Sequence, residues 1–206
     1  MTAVARGLTA RGAATRQRII EGAASLMREV GPVRNLDEIL TATSTSKSQL
    51  FHYFPSGRPD LLTAVARYEA DQTLAAQQPY LMDLTSWRKW ESWRKVLVAH
   101  YAELGERCPL GALTAQLGKS SPETRDIVTE LYDTWETYLR TGTRALAERG
   151  KLAAGLSPDE VARGILTAIQ GGVVMLRATG RTSYLETGLK QAMFPLRPAA
   201  TRTAAR

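Results

Sequence analysis

Hydrophobic residues recur every three or four positions along most of the chain, which is the spacing of amphipathic helices. The first stripe stops at Gly31-Pro32, because glycine suits the left-handed position after a helix and proline cannot continue one. Its apolar members are Ile19, Ile20, Ala23, Leu26, Met27 and Val30. The pattern therefore predicts a first helix that buries this stripe.

Two short helices are predicted next. Asn35 and Glu38 have the spacing of a capping box, with Asn35 as the N-cap and Glu38 reaching back. The hydroxyl residues at 43–46 favour a turn, and Ser46 is a suitable N-cap for a third helix. The residues expected to face inward are Leu36, Ile39 and Leu40 from the second helix and Leu50, Phe51 and Phe54 from the third.

The remainder of the chain predicts longer helices, one of which is capped by Ser56. Two others have proline at the first helical position, at Pro122 and Pro158. A short helix is expected over Leu110–Leu117. No segment alternates apolar and polar residues as a strand does, so the expected fold is all-α with about nine helices.

Composition sets limits on the class of protein. The 206 residues and 22.6 kDa allow one ordinary domain or two small ones, and 44% hydrophobic with 23% charged residues is typical of a globular protein. No run approaches the roughly 18 apolar residues of a membrane span. A single cysteine, Cys108, excludes an internal disulfide and a cysteine-rich zinc site. We therefore expect a cytoplasmic protein without metal or cofactor.

The net charge of +7 is unevenly distributed. Residues 1–58 hold eight basic and four acidic residues, residues 59–196 hold sixteen of each, and the tail 197–206 adds three arginines. We take these boundaries as an N-terminal domain, a neutral body and a basic tail. A basic terminal domain suits DNA, because neutralised phosphates release counterions. A merely solvated basic end remains the alternative.

Three short helices in the basic end match the layout of a helix-turn-helix, in which the third helix enters the major groove. The polar side chains of that helix can bond to base edges or phosphates. An ordinary three-helix cluster with a solvated polar face is the other interpretation. The side chains expected to face outward are Lys47, Ser48, Gln49, His52 and Tyr53.

Residues 39–62 resemble the signature of the tetracycline-repressor (TetR) family. There a helix-turn-helix ends in an aromatic-rich Leu-Tyr-x-x-Phe stretch, matched here by Leu50, Phe51 and Phe54. Arg58 takes the family's basic position, and Leu61-Leu62 the leucine pair that follows. The resemblance implies a repressor that binds a palindromic operator in double-stranded DNA as a homodimer, with Arg58 holding phosphate.

Four positions depart from the family pattern. Ser44 replaces the usual glycine of the turn and tolerates the bend less easily, and Thr45 replaces a small aliphatic residue. Phe51 replaces a tyrosine that often contacts phosphate, so we expect Tyr53 to supply that contact. Arg58 replaces lysine and keeps the charge.

The C-terminal part resembles the LmrA/YxaF-like branch of the family. The matching segments are Cys108-Pro-Leu-Gly, residues 121–125, Trp135 and residues 170–172. Regulators of that branch are associated with responses to drugs and small aromatic molecules. The resemblance implies an effector pocket in the body.

Aromatic residues concentrate on two predicted helices of the body. They are core residues in the ordinary case; the resemblance favours a pocket between helices, mostly apolar with a few polar groups. The candidate ligand-binding residues are Trp93, Tyr101, Trp135 and Leu139.

Residues 158–194 form two predicted helices with more apolar surface than a small domain covers. Gly171-Gly172 would let another helix approach, so we expect a four-helix dimer interface; packing wholly within one chain is the alternative. The candidate interface residues are Ile165, Ile169, Gly172, Val173, Leu176 and Leu189.

These features favour a ligand-responsive transcriptional repressor that a small hydrophobic or aromatic effector releases from DNA. A helical DNA-binding protein whose body only dimerises is the alternative. An enzyme is disfavoured, because the sequence contains no nucleophile–base–orienter set, no phosphate-cradling glycine loop and no His/Cys metal spacing.

Overall fold

The computed structural model describes residues 8–30, 35–107 and 122–198, and within these ranges it contains α-helices and short 3-10 turns but no strand. The all-α prediction is confirmed. The eight helices of the described ranges are α1 (Ala10–Val30), α2 (Leu36–Ala42), α3 (Lys47–Tyr53), α4 (Arg58–Ala75), α5 (Trp87–Leu104), α6 (Pro122–Glu148), α7 (Pro158–Thr179) and α8 (Ser183–Ala192). The predicted helix over Leu110–Leu117, and Cys108, lie outside the described residues.

The chain divides into two compact units, unit 1 through Glu69 and unit 2 from Ala70. Helix α4 contributes residues to both. The core of unit 1 combines the apolar stripe of α1 with single side chains from the short helices, which explains why helices of seven residues are stable there. Its buried members are Ile19, Ile20, Ala23, Ala24, Met27, Ile39, Leu50, Phe54, Leu61 and Val65. Val30, at the end of the predicted stripe, is exposed instead.

The predicted caps of α2 and α3 are present. The side chain of Asn35 accepts a hydrogen bond from the Glu38 N–H at 2.9 Å, and its own amide donates to the Glu38 carboxylate at 2.8 Å. The Ser46 hydroxyl accepts from the Gln49 N–H at 3.1 Å. These bonds satisfy donors that each helix start would otherwise leave unpaired.

Ser56 does not cap α4 as predicted. The first helical bond of α4 is accepted by the Gly57 carbonyl from the Leu61 N–H, so the cap position is one residue later. Ser56 instead donates its N–H to the Asp60 carboxylate at 2.7 Å. The acidic residue of the first turn therefore closes the α3–α4 turn.

In unit 2, α7 packs most extensively against α6 and α8. Gly172 makes the α7–α8 contact possible, because a Cβ at that position would lie 2.6 Å from the Leu185 Cα atom. Ser157 accepts from the Glu160 N–H and caps α7, and Gly180 ends it in the left-handed conformation. The buried face of α7 thus belongs to the core of its own unit.

Among the described residues, α7 alone is long and apolar enough to cross a membrane, with a mean hydropathy of 1.2 over 18 residues. A buried core helix of a globular protein meets the same criterion. Because one face of α7 is buried against neighbouring helices, its composition is weak support for a span.

Candidate nucleic-acid interface and aromatic core

The turn between α2 and α3 is held by its own hydroxyl groups. Thr43 donates to the Ile39 carbonyl at 2.7 Å, and the buried Thr45 hydroxyl donates to the Thr43 carbonyl at 3.1 Å. Ser44 has a φ of +47°, the left-handed region that the family's glycine would occupy at lower cost. The turn therefore keeps a helix-turn-helix geometry with serine in the strained position.

Helix α1 fixes this turn from outside. Arg18 donates a hydrogen bond to the Thr43 carbonyl. Gly22 allows the close approach, since a Cβ there would lie 2.8 Å from the Thr43 methyl group. The start of α3 is consequently positioned by a rigid helix and not only by the local turn.

The outer face of α3 holds three of the five side chains predicted there. Lys47, Ser48 and His52 are exposed, whereas Gln49 and Tyr53 are half-buried. Lysine, serine and histidine can donate to base edges or phosphate oxygens. The polar face expected from the sequence therefore exists, but it is narrower than predicted.

The positions predicted for Phe51 and Tyr53 are reversed in the structure. Phe51 is 40% exposed, while Tyr53 packs against the unit 1 core. At about 100° per residue, Tyr53 lies roughly 60° from the buried Leu50 and Phe51 roughly 100° from it on the other side. Phe51 was expected to face inward because it is apolar and lies next to Leu50, but the angular spacing of a helix places it on the surface.

Arg58, the predicted phosphate contact, is the first residue of α4 and is half-buried. It already interacts with another group of the chain. A role for Arg58 on phosphate stays a prediction.

A buried ion pair joins α1 to α4 inside unit 1. The Arg28 guanidinium contacts the Glu69 carboxylate, whose side chain is only 4% exposed. Burial raises the pKa of the Glu69 carboxyl, although the neighbouring Arg28 charge opposes that rise. The position of α4 relative to α1 thus depends on a pair whose desolvation is not fully offset.

The four candidate ligand-binding residues lie in unit 2 with buried side chains. Trp93 donates to the Gln77 side chain at 3.0 Å, and its ring meets Trp90 edge-on with centroids 5.6 Å apart. Trp90 belongs to the aromatic cluster of the body and is buried, as the ordinary core interpretation of that cluster expects. The buried candidates are Trp93, Tyr101, Trp135 and Leu139.

Two indole N–H groups in this aromatic core are buried without a hydrogen-bond acceptor in the described part of the chain. They belong to Trp90 and Trp135. A buried donor without an acceptor costs about 1–3 kcal/mol. Such groups are rare in folded proteins and tend to have a functional or solvent explanation.

The candidate dimer-interface residues lie on the buried face of α7 and α8. Five of the six are at most 2% exposed, and Gly172 is buried as well. Packing within the chain already covers these side chains, so their place in a dimer interface stays a prediction. The residues concerned are Ile165, Ile169, Gly172, Val173, Leu176 and Leu189.

The opposite face of α7 is exposed and uncharged between Gly164 and Ala178. Val174 is 62% exposed and Met175 is 38% exposed. A Cβ added at Gly171 would meet no described atom within 4 Å. We call this set the α7 outer stripe; its members are Gly164, Thr167, Gly171, Val174, Met175 and Ala178.

A polar groove of about 430 Å³ lies elsewhere on unit 2, between the start of α5 and α8. The Arg197 guanidinium stands over the Trp87 and Phe194 rings, 5.8 Å from each centroid. Arg94 and Glu91 pair on the groove wall at 3.2 Å. Basic and acidic groups line the groove in similar number, so it presents no strong charge preference.

The described residues contain no cluster of three His, Cys, Asp or Glu side chains able to hold a metal ion.

The model of the "Tetracyclin repressor-like, C-terminal domain" family matches residues 89–192, which is 104 of the 206 residues. No curated protein matches the chain.

Solved structures of similar fold are TetR-family regulators. A regulatory protein TetR from Rhodobacter sphaeroides superposes with a TM-score of 0.75 at 20% identity, over 86% of this chain and 96% of that one. A regulator from Chloroflexus aurantiacus gives 0.75 at 21% identity, over 89% and 94%. One from Cytophaga hutchinsonii gives 0.77 at 17% identity, over 92% and 96%.

Proposed function

The chain belongs to the tetracyclin repressor-like family, and on this premise we propose that it is a ligand-responsive transcriptional repressor. The observation that carries the proposal is the outer face of α3, with Lys47, Ser48 and His52 exposed behind a turn that α1 holds in place. A basic module of this size has a small contact area, so a two-fold dimer reading two half-sites is physically reasonable.

We assign base contacts to Lys47 and Gln49, and phosphate contacts to Arg58 and Tyr53. Because Gln49 and Tyr53 are partly buried, we expect Lys47 to make the main contact, with Ser48 and His52 beside it. Residues 1–58 then serve as the DNA-binding domain and residues 59–196 as the sensing and dimerising domain.

We place the homodimer contact on the α7 outer stripe. Small side chains at Gly164, Gly171 and Ala178 would let a second copy of α7 approach closely, while Val174 and Met175 supply apolar area. Tyr184 of α8 is 37% exposed and would extend this contact.

We propose an effector that is apolar or aromatic and carries a hydrogen-bond acceptor. Trp93, Tyr101, Trp135 and Leu139 would enclose it, and the Trp135 N–H would donate to the acceptor. An effector displaces the operator only if it binds the DNA-incompetent conformation more tightly. Helix α4, which holds residues of both units, is the element we expect to respond.

The LmrA/YxaF-like branch, a cytoplasmic location and the lack of enzymatic activity complete the proposal. They rest on the sequence resemblance and on the family. The second candidate function, a DNA-binding protein whose body only dimerises, is favoured by one observation: the four ligand candidates are themselves buried.

The DNA-binding part is tested by selecting binding duplexes from a random library with the purified full chain. We expect an inverted repeat bound by two copies, seen as a dimer on sedimentation. Recovery of duplexes without any shared sequence would contradict an operator-binding function.

The effector part is tested by screening aromatic drugs and plant-type phenolics for tryptophan quenching and operator release in parallel. Trp135→Phe keeps an aromatic ring and removes the N–H, so it should weaken effector binding and leave operator binding intact. Trp87→Phe, on the polar groove, is the matched control and should change neither. Quenching without operator release would mean that the body binds ligands without regulating DNA binding. No binding at all would favour the body that only dimerises.

A further inference from the structure

An exposed aromatic side chain stands on α3 beside the polar residues assigned to DNA. Phe51 is 40% exposed and follows Lys47 by four residues and Ser48 by three, so the three side chains are neighbours on the helix surface. A phenyl ring held in solvent contributes little to the stability of unit 1. Its position beside the residues assigned to DNA leaves the ring accessible to a partner outside the chain.

The ring rests against Gly57, in the turn before α4. A Cβ built on Gly57 would lie 2.9 Å from the Phe51 Cε1 atom and 3.2 Å from Cζ. Gly57 also has a φ of +71°, which side-chain-bearing residues rarely adopt. The backbone conformation favours glycine, and a side chain at this position would push the ring aside. Gly57 therefore forms a backbone seat that orients the Phe51 ring.

Phenylalanine has no hydrogen-bonding group, so Phe51 cannot hold a phosphate. The apolar group that the major groove of DNA presents is the C5-methyl of thymine, and phenylalanine is among the side chains that contact it. We propose that Phe51, seated on Gly57, reads a thymine methyl group in each operator half-site and so determines specificity. This inference rests on the proposed DNA-binding function.

The test uses the duplex selected by the full chain. Each thymine is replaced singly by deoxyuridine, which removes one methyl group and leaves every hydrogen bond in place. At one thymine per half-site we expect wild-type affinity to fall by about three- to tenfold, as a contact worth roughly 1 kcal/mol predicts. Phe51→Ala should bind both duplexes equally, while Phe51→Leu should retain part of the discrimination.

His52→Ala is the matched control, because His52 is exposed on the same helix; it should keep the preference for thymine. Gly57→Ala should reduce the preference by displacing the ring. The inference would be overturned if Phe51→Ala still preferred thymine to deoxyuridine. It would also be overturned if no deoxyuridine substitution lowered the affinity of the wild-type protein. Failure to select any shared sequence would instead overturn the proposed function.

A second measurement needs no variant. 5-Iododeoxyuridine places iodine where the methyl group stands and crosslinks to aromatic side chains on irradiation. We expect the crosslink at the sensitive thymine to map to Phe51. A crosslink that maps only to other residues would overturn the assignment.

Discussion

The sequence predicts a functional surface on α3 and another on α7, and the two sets of residues differ in their exposure to solvent. On α3, Lys47, Ser48 and His52 are exposed as expected. On α7, every predicted interface residue is buried within the chain. Hydrophobic periodicity identifies the face of a helix that is buried within its own chain. Residues that bind a partner must therefore be sought on the opposite face.

The two helices differ because α3 has one apolar side and α7 has two. The exposed polar residues of α3 indicate which side of the helix faces solvent, although the pattern assigned Phe51 and Tyr53 to the wrong sides. The α7 outer stripe is also uncharged, and its small residues gave a weaker hydrophobic signal than the buried isoleucines. The larger buried side chains therefore drew the assignment to the buried face, whereas the absence of charged residues from Gly164 to Leu176 would have indicated the second face.

The largest expected effect separates Gly171 from Gly172, two adjacent glycines of α7. Gly172→Lys would force a side chain into the Leu185 backbone, so we expect a loss above about 4 kcal/mol or failure to fold. Gly171→Lys enters open space and should fold normally but sediment as a monomer. Circular dichroism and sedimentation velocity measure both. A folded, dimeric Gly171→Lys protein would remove the α7 outer stripe as the interface.

The next effect concerns the buried pair of unit 1. Arg28→Ala leaves the Glu69 carboxylate buried without that cation, so it should lower the unfolding free energy by about 3 kcal/mol at pH 7.5.

The loss should be smaller at pH 5. Burial holds the pKa of Glu69 above its unfolded value, so the folded state binds the proton more tightly and stability from this group falls as pH rises. Glu69→Gln cannot ionise, so its unfolding free energy relative to that of the wild type should rise between pH 5 and pH 7.5. Urea unfolding at both pH values measures this; a loss for Arg28→Ala that does not depend on pH would contradict it.

A smaller effect tests the reversal on α3. Tyr53→Ala removes a ring packed on the core and should cost about 2 kcal/mol, whereas Phe51→Ala should cost less than about 1 kcal/mol. Thermal unfolding of the two variants compares them. Equal losses would show that Phe51 is a core residue after all.

The smallest effect is a gain. Ser44→Gly places glycine at a φ of +47° and should stabilise the protein by up to about 1 kcal/mol, because the strain outweighs the added freedom of the unfolded chain. Ser48→Gly, inside α3, should destabilise by about as much. A destabilised Ser44→Gly would show that the serine is not strained.

The helices and caps follow from local rules, and for that reason the sequence predicts them. Asn35, Ser46 and Ser157 cap their helices as expected, since each bond joins residues three positions apart. The contacts of Arg18 with Thr43 and of Arg28 with Glu69 join residues 25 and 41 positions apart. No local pattern encodes such pairs, so the sequence alone could not predict how α1 holds the α2–α3 turn and α4.

The most direct test of the central claim compares two lysine removals of equal charge. Lys47→Ala lies on the outer face of α3, and Lys151→Ala lies on exposed backbone of unit 2. Affinity for the selected operator is measured for both by fluorescence anisotropy across a salt series. If α3 reads the operator, Lys47→Ala lowers affinity by about tenfold and Lys151→Ala leaves it within about twofold. Equal losses from the two variants would mean that DNA binds by overall charge, contradicting the account.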